Sequence, residues 1–140
     1  MPATLLKLAA MIVFGLDTAT PAAPAPAKLD LHPVEKAVLD STNAERARYG
    51  LPALALDPSL EQTARRHAAW MTNSHNLQHS SAGVAENIAW GQHSAQEAMS
   101  SWMSSSGHRA NILNGNYRRI GVAAYTASDG SCYWCQQFTW

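Results

Sequence analysis

The order of two hydrophobic periods limits what this chain can fold into: helical spacing comes first and strand spacing last. Pro33 to Tyr49 places Val34, Ala37, Val38 and Leu39 near one stripe, and Gly50 supplies a stop. Asp57-Pro58 opens a second helix, because Asp caps free amides and Pro is tolerated at the first helical position. Leu60, Ala64, His67, Ala68 and Met71 follow at helical spacing. Ser94-Ala-Gln-Glu97 has the form of a capping box, and Ala95, Ala98, Met99, Trp102 and Met103 continue on one face. The pattern then changes. Ile120–Thr126 and the aromatic-rich Cys132–Thr139 read as strands joined through an Asp129-Gly130 turn. A short strand is also expected over Leu77–His79. Helices followed by a hairpin predict a layered α+β domain.

The chain has 140 residues, room for one domain. Its formal net charge is zero, so it carries no basic face for nucleic acid, and no nucleic-acid partner is expected. The pairs Arg65-Arg66 and Arg118-Arg119 are too short to form one and read as solvated surface. Residues 1–27 read as a signal peptide and Pro/Ala-rich linker. Lys7 gives a charged start, and Leu8–Leu16 is an apolar run shorter than the about 20 residues that span a bilayer. Ala25-Pro26-Ala27 then offers a small-residue cleavage site. A secreted or periplasmic domain over residues 28–140 is expected, monomeric and without stable membrane insertion after cleavage.

Cys132 and Cys135 are too few for a disulfide scaffold. Three apart in a strand, they point to opposite faces about 10 Å apart. A disulfide tolerates less than about 7 Å, so two thiols are expected.

His79 and Glu86 in Leu77-Gln-His-Ser…Ala85-Glu-Asn-Ile-Ala89, and His108 in Ser106-Gly-His-Arg109, are the residue types that bind zinc or exchange protons. The His-Glu-x-x-His spacing of zinc proteases is absent, and a mutually hydrogen-bonded polar cluster explains the same residues on spacing alone. Asn43 and Arg46 read as ties from the first helix to neighbouring loops, and His67 as a core histidine. His75 and His93 read as surface residues. Trp102 and Trp134 read as core, with Trp90 the tryptophan best placed to meet a ligand. Ser104-Ser-Ser106 lacks a nucleophile elbow and reads as a polar helix-end loop.

Many ordered motifs carry a resemblance. They include Asn43-x-x-Arg46, Leu60-x-x-x-Ala64-x-x-His67-Ala68-x-x-Met71, Leu77-x-His79-Ser80 and Glu86-Asn87-Ile88-Ala89. Glu97-Ala98-x-x-x-Trp102-Met103, Gly107-His108-Arg109-x-Asn111-Ile112-Leu113, Ile120-Gly121-Val122 and Tyr133-Trp134-x-Gln136-x-Phe138 complete the set. From about Val34 to Phe138 the chain resembles the SCP domain of the CAP superfamily, which includes cysteine-rich secretory proteins, insect venom antigens and plant pathogenesis-related proteins. Its compact form resembles the short bacterial members. The resemblance implies a three-layer α-β-α sandwich with a central antiparallel sheet. It also implies an open cleft lined by two His and two Glu, of which His79, Glu86 and His108 match three. Ser105 stands where eukaryotic members have the fourth, a Glu. Glu97 is the candidate substitute, or else the capping partner of Ser94.

Three functions fit these residues. The first is a secreted protein that binds a ligand or extracellular partner in the cleft without turning it over. The second is a zinc-dependent hydrolase or protease with His79 and His108 as metal ligands and Glu86 as base or third ligand. The third, which the resemblance implies, is a lipid or sterol binder. The export reading has a direct test. Val13→Asp breaks the apolar run and is expected to hold the protein in the cytoplasm; unchanged secretion of the variant refutes the signal.

Overall fold

The computed structural model describes residues 21–22 and 29–140, so nearly all of the proposed signal segment lies outside the described residues. Among them, four helices and four strands alternate unevenly along the chain. α1 spans Pro33–Arg48, β1 Ala55–Leu56, α2 Pro58–Ser74, β2 Ala85–Trp90, α3 Ala95–Met103, α4 Ser106–Ile112, β3 Arg119–Thr126 and β4 Cys132–Thr139. The sheet order is β1-β3-β4-β2. β4 pairs antiparallel with both β3 and β2, and the two-residue β1 adds a parallel edge to β3. The predicted α+β sandwich is therefore present, with a mixed sheet in which the long strands are antiparallel.

The expected helices form for the expected local reasons. Asp57 accepts the Leu60 amide at 3.0 Å, and Pro58 opens α2. Ser94 accepts the Glu97 amide at 3.1 Å at the start of α3. Gly50, with φ of 70°, follows the end of α1.

Two expectations need correction. Leu77–His79 is not a strand. Its backbone bonds go to side chains: the Gln78 carbonyl meets the His67 ring, and the Ser80 amide donates to Glu86. The strand is Ala85–Trp90 instead. Ser104–Ser106 is not one loop either, because Ser106 begins the short helix α4. Seven residues give too little periodicity for such a helix to stand out in a sequence.

Strand alternation builds two cores. Ile120, Val122, Ala124, Trp134 and Phe138 face α1, α3 and α4, where they meet Val38, Met99, Trp102 and Ile112. Ala123, Tyr133 and Cys135 face α2 and meet Ala64, Ala68 and Met71. The same alternation separates Cys132 from Cys135, and both are free thiols. α2 lies so close to the sheet that a Cβ on Gly121 would sit 2.4 Å from the Leu60 carbonyl. Only glycine allows that approach.

Polar side chains fasten what the apolar layers leave open. Arg46 is fully buried and donates to the carbonyls of Pro52, Ile112, Asn114 and Tyr117. Asn43 exchanges two hydrogen bonds with the backbone of Leu54. Both are the ties that the sequence suggested. β2 is an edge strand, yet its outer carbonyls are covered. The Trp102 indole donates to Ile88 and the Asn111 amide to Glu86.

Trp102 is 1% exposed and fills the space between α3 and the sheet. Trp102→Ala is expected to cost about 3–5 kcal/mol, read as a lowered denaturation midpoint at unchanged slope. Loss on this scale is a large part of the total stability of a domain this size.

A second test concerns a buried acid pair under α2. Glu35 and Glu61 are both fully buried. Arg65 grips Glu35 at 2.8 and 2.6 Å and lies 3.4 Å from Glu61. Glu61 accepts the Val122 amide at 2.7 Å through Oε2, while its Oε1 has no hydrogen-bond partner among the described residues. Burial, reinforced by the Glu35 charge, pushes Glu61 up to about 7 against the opposing Val122 bond. Burial also raises Glu35, but the Arg65 and His32 hydrogen bonds outweigh it and leave Glu35 lowered. A carboxyl raised in the folded state binds more protons there than in the unfolded chain. Its contribution is therefore fully present below the unfolded value and is lost as pH rises towards about 7. Glu61→Gln keeps an acceptor for Val122 and cannot ionise. Wild type is expected to lose about 1–3 kcal/mol between about pH 4.5 and 8 that the variant keeps, measured by urea unfolding at both pH values. Parallel pH dependence in the two proteins would remove Glu61 as the source.

Candidate functional site

Glu86 sits in β2 directly opposite Gln137 of β4. That register turns both side chains to the α2 face. The carboxylate is almost enclosed, at 4% side-chain exposure. Oε1 accepts from His79 Nδ1 at 2.8 Å and from the Ser80 amide at 2.9 Å. Oε2 accepts from the Ser80 hydroxyl at 2.6 Å and from Gln137 Nε2 at 2.8 Å. The Cys135 thiol lies 3.9 Å from the same oxygen. Two donors on each oxygen occupy the lone-pair sites of the group.

Burial alone would raise Glu86, but the Ser80, Gln137 and His79 hydrogen bonds outweigh it and hold the group below its ordinary value. Glu86 is therefore ionised at neutral pH, and His79 Nδ1 is the donor in their bond. In the neutral ring the opposite nitrogen, Nε2, is then the one with the lone pair. His79 is 61% exposed, so this arrangement holds an accessible imidazole in one orientation and one tautomer.

His108 comes from α4, across the β2 edge. Its helix is anchored by the other face of the same strand. Asn87, paired in register with Gln136, donates to the His108 carbonyl at 3.1 Å and to Gln136 Oε1 at 3.0 Å. Asn111 donates to Asn87 Oδ1 at 2.9 Å. Gln136 in turn donates to Thr42 of α1 at 2.8 Å. Burial first, and the nearby His79 charge second, lower the His108 pKa, so this half-buried ring is neutral at neutral pH.

The structure thus brings His79 and Glu86 into direct contact and His108 within electrostatic reach of His79. Ser105 is the residue before α4, and its side chain makes no capping bond. Glu97 is exposed at the start of α3, where its carboxylate accepts the His93 amide at 2.9 Å. No hydrogen bond joins either residue to the His79–Glu86 pair among the described residues. Trp90 is 53% exposed at the end of β2, beside Tyr133.

Sequence reasoning missed three members of the site. Ser80 supplies two of the four bonds on Glu86. Gln137 supplies a third, and its signal was a polar residue inside an aromatic strand. His67 is not a plain core residue. Its Nε2 lies 2.6 Å from the Gln78 carbonyl and 4.0 Å from Glu86, and its ring stacks on Trp70.

Zinc is the metal that this residue set suggests. Among the described residues no cluster of three or more His, Cys, Asp or Glu is arranged to hold an ion. With Glu86 fully engaged, the donors that fit a metal are the free nitrogens of His79 and His108. They would form a two-imidazole site of exchangeable character rather than a closed one.

The profile of the CAP family, the cysteine-rich secretory protein family, matches residues 39–138. YkwD of Bacillus subtilis is 40% identical over 121 residues, which cover 74% of this chain and 46% of that protein. An extracellular protein of Bacillus anthracis containing an SCP domain superposes with a TM-score of 0.65 at 27% identity, over 79% of this chain and 44% of its own. An outer surface protein of Borrelia burgdorferi shares the fold, with a TM-score of 0.70 at 18% identity over 79% of this chain and 94% of that one. The chain spans less than half the length of the two Bacillus proteins. No described helix is long and apolar enough to cross a membrane. The chain belongs to the CAP family, the cysteine-rich secretory proteins, and resembles its bacterial members.

Proposed function

We propose that this chain is an exported CAP-domain protein that binds a ligand or extracellular partner in the cleft of His79, Glu86 and His108 without turning it over. The saturation of Glu86 carries this reading. A general base needs a free lone pair aimed at a proton, and a carboxylate ligand needs one aimed at a metal. Both oxygens of Glu86 are held by protein donors. The group positions His79 and leaves recognition to the imidazoles. Export is supported by the apolar amino-terminal run and small-residue site of the sequence.

A divalent ion fits the same reading as an accessory. His79 Nε2 and a His108 nitrogen would hold it, and it would offer open coordination positions to an oxygen-rich ligand. Binding requires neutral rings. His108 is already biased to the neutral form by burial. Affinity is expected to fall as pH drops below about 6, where protons compete for the nitrogens. Calorimetric zinc titration of the wild type, His79→Ala and His108→Ala checks this at neutral and acidic pH. Loss of binding in both variants, with melting temperature unchanged in chelator, supports a shared site. Equal zinc affinity in all three proteins excludes it. Chelator-sensitive hydrolysis lost in His79→Ala would replace the binding reading with the zinc-dependent hydrolase. Saturable sterol or fatty-acid binding indifferent to both variants would move function out of the cleft.

A further inference from the structure

A groove of about 420 Å³ runs beside the cleft, between α2 and the Gln78–Ala82 loop. One wall is a single stripe of α2, with Thr63, Arg66, His67 and Trp70 at helical spacing. The other wall includes Ser81 and His79, so His79 belongs to both the groove and the cleft. The volume is that of a small-molecule site.

Two of these residues lack a task inside the protein. Trp70 is 45% exposed, and the His67 ring stacks on it at 5.7 Å between centroids and 12° between planes. The stack fixes the orientation of a large aromatic surface in the groove. Among the described residues Arg66 has one hydrogen bond, to the Thr63 hydroxyl at 3.4 Å. Every other described arginine meets a carboxylate, backbone carbonyls or the Tyr49 hydroxyl. The guanidinium of Arg66 thus faces the groove with most of its donors unspent. No acid lies on the groove lining. Glu86, the nearest carboxylate to His67 and His79, is buried behind them with its own donors.

We propose that this groove binds a ring-bearing oxyanion, with its ring on the Trp70 indole and its carboxylate or phosphate on Arg66. The ligand's far end reaches His79. This names the ligand class of the cleft and rests on the cleft reading to that extent. A planar guanidinium matches either oxyanion through paired N–H donors. The indole face supplies the contact area that a single charge pair lacks.

Indole N–H NMR of the purified protein tests this at the groove itself, with the Trp70 signal assigned from Trp70→Phe. Indole-3-acetate is titrated against its neutral counterpart indole-3-acetamide, and phenyl phosphate against phenol. At least one anion is expected to shift the Trp70 signal saturably and to bind about tenfold tighter than its neutral counterpart. The two anions distinguish carboxylate from phosphate. Added salt should narrow the ratio, and Arg66→Gln should bring it close to one. Arg66 is exposed and has no structural bond beyond the Thr63 hydroxyl, so this variant should fold as the wild type does. Equal affinity for anion and neutral probe, or a Trp70 signal that none of the probes moves, overturns the proposal. Zinc titration of the same proteins separates the two readings. Zinc bound with no anion preference overturns the groove alone. Anion preference without zinc affinity supports the groove and removes the metal-assisted cleft.

Discussion

The register of β2 against β4 is the constraint on which the site depends. Glu86 pairs with Gln137 and Asn87 with Gln136. Neighbouring residues of a strand face opposite sides, so the first pair points to α2 and the second to α1 and α4. Each pair then organises one half of the proposed cleft. On the α2 side, Gln137 and Ser80 fix Glu86, and Glu86 fixes His79. On the opposite side, Gln136, Asn87 and Asn111 form a buried chain that holds α4 and with it His108. A slip of one residue would exchange the two faces and would bury Asn87 against α2 with no partner. Buried polar groups leave little tolerance for such an error, because an unmet donor costs about 1–3 kcal/mol.

The same logic explains how the fold holds together with both cysteines as free thiols. Thr42, Arg46, Asn43, Asn87 and Gln136 act as internal staples between elements far apart in the sequence. Arg46 alone collects the loop before β1 and the segment between α4 and β3. These contacts are directional, so they specify one arrangement of helices that apolar packing would leave loosely defined. The buried acid pair under α2 is different. It clamps α1 to α2 through Arg65, but Glu61 keeps one oxygen without a hydrogen bond among the described residues. That clamp has a built-in sensitivity to pH that the amide, hydroxyl and guanidinium staples lack.

Much of the fold was legible because its signals are local. Caps, prolines and a stop glycine placed α1, the start of α2 and α3 to within a residue or so, and alternation placed β3 and β4. β1 and α4 were not legible. Two residues of strand and seven of helix carry no period, and both exist because of partners elsewhere: the β3 edge and the Asn87–Asn111 clamp. β2 was missed because its residues Glu86 and Asn87 are polar yet buried, which breaks the apolar alternation that a strand is read by. The motif resemblance supplied His79, Glu86 and His108 where spacing could not. It included Ser80 without a role and left out Gln137; both roles appear only when the loop folds back onto β2.

His67 shows how a core assignment and a functional one can share a residue. Its place on the apolar stripe of α2 predicted burial, and its ring does pack closely. What spacing could not reveal is that the stripe reaches the edge strand β2 and the Gln78–Ala82 loop beside it. Ala64 and Ala68 share a buried cluster with Ala123 and Cys135, whereas His67 lies at the edge strand β2, 4.0 Å from Glu86. His67 and Trp70 therefore meet a loop, and the loop is held by the Glu86 carboxylate at Ser80. The groove is consequently a by-product of the same interaction that orients His79. A change that loosens the Ser80–Glu86 contact is therefore expected to alter the groove wall and the orientation of His79 together.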